Sequence, residues 1–200
     1  MTVQLSHKTK GAELSQAEFE ALDSHTVDSF AAGDLPTHGA GQHTDITRTL
    51  WLPADAWTII TGTPAITIYS ARYRAWAFDS ASDEEITTDF RLPDDWASGA
   101  LVFKQYWTNA GAGAGDVVWR LDVAATAAAE SLTAAWVTTR DTITAPAVSV
   151  LTVSTLTATV TPSASDLIQL LVGRDGDNAA DTLGNDAGFL GLLIEYTGTQ

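Results

Sequence analysis

Between Asp116 and Ala125 apolar and polar side chains alternate, with Val117, Trp119, Leu121 and Val123 on one side and Val118, Arg120 and Asp122 on the other. A period of two is what a β-strand needs when one face is buried and the other is wet. A second such run, Ala100–Thr108, precedes it across Asn109-Ala-Gly-Ala-Gly-Ala-Gly115. That stretch is too flexible for a helix and tolerates positive φ, so the two runs are expected to form a hairpin. Short runs of the same kind recur from Asp45 onward, at Ile46–Leu52, Ala65–Ser70, Tyr73–Phe78 and Glu85–Leu92. Beyond the hairpin follow Ile143–Val153, Thr155–Thr161, Asp166–Gly173 and Phe189–Thr197. Turn signals such as Gly62-Thr-Pro64 and Pro93-Asp-Asp95 separate them. Eight to ten strands rich in Val, Ile, Thr, Trp and Tyr predict an all-β antiparallel sandwich or barrel. Ala124–Ala135 reads either as a helix or as a connection with one helical turn.

Residues 1–44 follow a different pattern. Ser15-Gln-Ala-Glu18 fits a capping box, and Leu14, Phe19 and Leu22 give the short helix it opens a narrow apolar stripe. Helices below roughly 12 residues rarely persist alone in water, so this one is expected to anchor on a partner. Ala31–Gly41, punctuated by Gly and Pro, reads as a linker. The division is therefore an N-terminal anchoring arm over 1–44 and a β-domain over 45–200.

Charge narrows the partners. The chain has 25 acidic against 10 basic residues, a formal net charge of -15, so nucleic acid is not an expected partner. Cysteine is absent, which removes disulfides and thiol chemistry. No apolar run approaches the roughly 20 residues of a membrane-spanning helix, and the first ten residues lack a signal-peptide core. A soluble protein without membrane insertion is expected.

Candidate chemistry is sparse. Asp175-Gly-Asp-Asn-Ala-Ala-Asp181 places acids at the first, third and seventh positions of a calcium-type loop, but lacks the glycine at the sixth and the glutamate at the twelfth. Asp175, Asp177, Asn178 and Asp181 are candidates for an irregular cation site, though the favoured reading is a polar turn. His25, His38 and His43 match no zinc spacing and read as loop histidines. No nucleophile elbow, phosphate loop or dinucleotide fingerprint appears, so neither an enzyme nor a cofactor is expected. Glu84-Glu85 and Asp94-Asp95 cannot act as glycosidase pairs alone, because adjacent residues of a strand point to opposite faces. Of seven tryptophans, Trp107 and Trp119 are expected to face each other or the core across the hairpin. Trp51, Trp57 and Trp96 lie near turns and are the candidates for glycan contact.

Phe90-Arg-Leu-Pro-Asp-Asp-Trp96, Tyr106-Trp107, Gly115-Asp-Val-Val-Trp-Arg120, Arg174–Thr182 and Leu192-Leu-Ile-Glu-Tyr196 together resemble a jelly-roll domain of tailed-bacteriophage virion proteins. Those include head-fibre, tail-fibre and decoration subunits. Lys10–Phe19 is similar to the segment that opens many phage appendage proteins, with Glu13 where a proline often stands. The resemblance spans residues 45–197 and 8–25. It implies a homotrimer on the virion, assembled in the host cytoplasm, with the arm attached to capsid or tail proteins. It implies no catalytic residue. A carbohydrate-binding module that uses exposed tryptophans on a host-surface glycan is the alternative.

Overall fold

The computed structural model describes residues 46–69, 71–160 and 162–199, which lie in the unit Asp45–Gln200. The expected arm over 1–44, including Leu14, Phe19, Leu22 and the three histidines, lies outside the described residues. Eleven strands run in chain order: β1 (Ile46–Pro53), β2 (Thr58–Thr61), β3 (Ala65–Tyr69), β4 (Tyr73–Phe78), β5 (Glu84–Arg91), β6 (Trp96–Asn109), β7 (Asp116–Thr126), β8 (Val137–Thr144), β9 (Thr152–Ala158), β10 (Leu167–Arg174) and β11 (Ala187–Gly198). Among the described residues the sole helical element is the 3₁₀ turn Ala54–Ala56. Ala124–Ala135 finishes β7, where Ala124 is buried and Ala125 still packs on the core, and from Ala127 continues as turns and irregular chain at the surface.

The strands make two antiparallel sheets packed face to face. One has the order β3-β4-β11-β6-β9, with β1 also on β11; the other has the order β2-β5-β10-β7-β8. On β11, β1 pairs with Gly191–Gly198 and β4 with Ala187–Phe189, so they lie end to end along one edge and leave Leu190 between them.

The expected hairpin between β6 and β7 does not form. Strand β6 pairs with β11 and β9, whereas β7 pairs with β10 and β8. The Gly/Ala stretch instead carries the chain from one sheet to the other. Both strands keep an apolar face, and the two faces meet across the sandwich. Trp107 and Trp119 do meet, with ring centroids 5.5 Å apart, but as opposing walls of the core rather than as cross-strand neighbours. Of the expected strand Ile143–Val153 only the two ends are strand, since Ala145–Leu151 turns between β8, which starts earlier at Val137, and β9.

Alternation fills the core. Leu101, Phe103 and Trp107 of β6 face Val117, Trp119, Leu121 and Val123 of β7. Gln105 occupies an inward position in the same series, fully buried, and neither amide atom has a hydrogen-bond partner. Burying an unsatisfied amide costs about 1–3 kcal/mol, so Gln105→Leu is expected to stabilise the domain by about 1 kcal/mol or more. Urea denaturation measures this. A destabilised variant would mean that an internal water satisfies the amide.

Candidate functional site

The outer face of the six-stranded sheet carries an aromatic surface that two glycines of β11 make possible. A glycine inside a strand marks a close approach. A Cβ at Gly188 would lie 2.7 Å from Cε2 of Tyr69, and one at Gly191 would lie 2.5 Å from Cζ2 of Trp51. The ring of Tyr69 therefore rests over one glycine and that of Trp51 over the other. Leu190 is the extra residue of a β-bulge between Phe189 and Gly191, in the gap left between β1 and β4. Tyr106 of β6 braces Trp51 edge-on, with centroids 5.1 Å apart and planes at 85°. Trp51 is 43% exposed and Tyr73, at the start of β4, 60%.

Two hollows lie on this face. One of about 180 Å³ is lined by Tyr69, Tyr73, Thr108, Ser149, Leu151 and Leu190. The other, about 350 Å³, adds Trp51, Tyr106 and Leu193. They share Tyr73, Leu151 and Leu190 and so form one groove. None of the lining residues is charged. Burial, and next the Asp186 carboxylate, push the Tyr69 phenol up to about 12, so its hydroxyl keeps its proton at any physiological pH. The groove wall is held by buried Asn109, whose amide donates to Gly113 O (2.8 Å) and Pro146 O (3.1 Å) and whose backbone carbonyl accepts from Ser149 N.

Of the tryptophans expected to touch glycan, only Trp51 belongs to this face. Trp57 is a correction: it is 3% exposed and packs edge-on against Phe189 inside the core. The chain turns inward after Pro53, and the turn that suggested exposure delivers the ring to the interior. Trp96 is also corrected. It is half-buried against the core where β6 begins, with its Nε1 buried.

The acidic turn separates into two parts. Arg174 and Asp181 are both essentially buried and bonded side-on, Nε to Oδ2 at 2.9 Å and Nη2 to Oδ1 at 2.6 Å. Val118 N also donates to Asp181 Oδ2 (3.0 Å), so Asp181 is structural and unavailable to a cation. Asn178 is likewise engaged, since its Oδ1, the atom that would ligate, accepts from Ala180 N (3.0 Å) and its amide donates to Asp175 Oδ2 (3.3 Å). Asp175 and Asp177 instead converge with Asp83, their carboxylate oxygens within 4.8 Å of one another. These three are the described residues that could hold a hard cation, although Asp175 already accepts from Arg140 Nε at 2.6 Å.

Asp83 above all, then burial and Asp175, holds the Asp177 carboxyl above its usual range. The folded-state value exceeds the unfolded one, so the charged form is a cost at neutral pH that lifts as pH falls through the raised value. Asp177→Asn is therefore expected to raise Tm at neutral pH, with the gain shrinking in acid. Thermal melts across that range check it.

The carboxylate pairs considered for hydrolysis are engaged in the framework. Buried Glu84 accepts from Thr63 N (3.1 Å) and Asp79 N (2.6 Å), and Glu85 pairs with Arg120. Asp94 bonds Arg91 and Ser165, while Asp95 pairs with Arg48. Tyr69, Tyr73, Tyr106, Leu151 and Leu190 were not singled out by sequence reasoning. The signal that could have found them is the pair of glycines, Gly188 and Gly191, just before and within the Phe189–Thr197 run.

No protein-family model and no curated protein matches the chain. Among solved structures it is similar to a family 35 carbohydrate-binding module from Clostridium thermocellum, at 11% identity and a TM-score of 0.49 over 74% of this chain and 97% of that one. It is similar to the CBM36-1 domain of a multidomain xylanase from the hindgut metagenome of Trinervitermes trinervoides, at 14% identity and 0.46 over 76% and 99%. An Arthrobacter globiformis isomalto-dextranase is similar at 14% and 0.47, where 73% of this chain spans 23% of the enzyme. The likeness is one of architecture.

Proposed function

We propose that the sandwich is a non-catalytic binding module that holds carbohydrate in the groove on the outer face of its six-stranded sheet. The observation that carries this reading is the pair of aromatic rings seated over Gly188 and Gly191, with exposed Tyr73 between the two hollows. Rings fixed on a rigid sheet offer flat apolar area at low entropic cost, and their polar edges offer hydrogen bonds to hydroxyl groups. The reading rests on this face and on no likeness to another protein.

The test is a glycan array probed with the full chain and with Trp51→Ala and Tyr73→Ala. Each variant is expected to lose about tenfold or more in affinity, or at least about 1.4 kcal/mol, with Tm nearly unchanged for Tyr73→Ala and lowered for Trp51→Ala, whose ring also packs on Gly191 and Tyr106. Silence of the unmodified chain across the array would remove the reading.

The virion-appendage reading remains a separate proposal, carried by the sequence resemblance. It is compatible with a glycan-reading domain on an anchoring arm. Electron microscopy of labelled particles and sedimentation of the full chain test its location and its homotrimer.

A further inference from the structure

We infer that the groove takes an uncharged glycan of at least two sugar units, read by two separate aromatic platforms, and discriminates against acidic glycans. This rests on the carbohydrate reading above. Tyr69 lies over Gly188 and Trp51 over Gly191, three residues apart on β11. Because Leu190 is bulged out, Gly188 and Gly191 stand opposite Thr108 and Tyr106, two residues apart on β6, so at about 3.4 Å per strand residue the two platforms are roughly 7 Å apart. A single pyranose ring is too short to reach both. Tyr73 borders both hollows and gives a continuous path between the platforms.

The nine lining residues are all uncharged. Lys104, opposite Leu193, has its Nζ held by Glu195 Oε1 at 2.6 Å, and Arg72, exposed in the turn between Tyr69 and Tyr73, lines neither hollow. On the other flank Asp186 lies close enough to Tyr69 to act on its phenol. A carboxylated sugar would thus shed water against apolar walls with no cation among the lining residues, and would meet a carboxylate at one end. The whole chain, at -15, adds repulsion of the same sign. What the groove offers instead are neutral hydrogen-bonding groups, the hydroxyls of Tyr69, Tyr73 and Ser149. The Thr108 hydroxyl is already spent on Val150 O (2.9 Å).

The experiment is calorimetric titration of the full chain with neutral gluco-, xylo-, manno- and galacto-oligosaccharides, each from monosaccharide to hexamer, and with galacturonate oligomers of the same lengths. For the neutral series that binds, affinity is expected to rise about tenfold or more on lengthening beyond one unit. Trp51→Ala and Tyr69→Ala should each flatten that rise while leaving weak binding to the remaining platform. Galacturonate oligomers should bind at least about tenfold more weakly than their neutral counterparts, and Asp186→Asn should narrow the difference. Neutral binding that is independent of length, or galacturonate binding of equal strength, overturns this inference and leaves the carbohydrate reading standing. Absence of binding to every series and to the array overturns both.

Discussion

Asp181→Ala is expected to cost about 3–5 kcal/mol of stability, roughly a fifth or more of what a domain of this size commonly has. Arg174 is fully buried, and three of its nitrogens are committed. Nε and Nη2 donate to Asp181, Nη1 donates to Asn185 O (2.6 Å) and Phe78 O (3.3 Å), and Nη2 also reaches Leu183 O. Removing the carboxylate leaves a guanidinium in the interior with no counter-charge, which is far costlier than losing a surface pair. Exposed pairs such as Arg91–Asp94 and Arg74–Asp55 are screened by water and contribute far less by comparison. The damage should spread along the connection from β10 to β11, because Leu183 and Asn185 belong to it. Chemical denaturation reads the loss. The double variant Arg174→Met with Asp181→Leu is expected to recover most of it, since it removes the charge with its partner. A single variant within about 1 kcal/mol of the parent would show that water reaches the guanidinium.

That pair also shows where sequence reading stops. Asp175–Asp181 is legible as a polar turn and is one. The partner of Asp181 is not legible there, because in the sequence Arg174 is merely the end of an apolar strand. Asp83, which joins Asp175 and Asp177, lies over 90 positions away and carries no local mark. Strand identity was largely readable, since alternation reports which side chains share a face. Pairing was not, because alternation does not report which strand lies alongside. The stretch Asn109–Gly115 suits a tight hairpin by composition, yet the same flexibility lets it cross between sheets. Strand β2 carries no such mark, as Thr58-Ile-Ile-Thr61 is short, does not alternate and is exposed throughout. Trp51 and Trp57 looked alike in sequence, both beside Pro53. One turns outward on β1, and the other follows the inward turn into the core.

The crossing between sheets gives the second large effect. Phe78, Trp119 and Trp107 form a row of edge-on rings, with centroid separations of 5.6 and 5.5 Å, that passes from β4 to β7 and back to β6. The row therefore alternates between the two sheets. Trp107 and Trp119 are fully buried, and Trp107 Nε1 donates to Ser154 Oγ at 2.7 Å. Either ring replaced by alanine opens a cavity between two rigid sheets that cannot collapse on it, so each single variant is expected to cost about 3–5 kcal/mol. Trp107→Ala carries an added loss, because Ser154 on β9 is left buried without its donor. Trp119 Nε1 has no partner, so Trp119→Phe should be milder than Trp107→Phe. The double alanine variant should cost less than the sum of the singles by about 0.5–1.5 kcal/mol, the coupling of an edge-on aromatic pair. Denaturation of the four proteins of the cycle measures that coupling. Strict additivity would mean that the rings do not touch, and the arrangement of β6 and β7 on opposing sheets would fall with it.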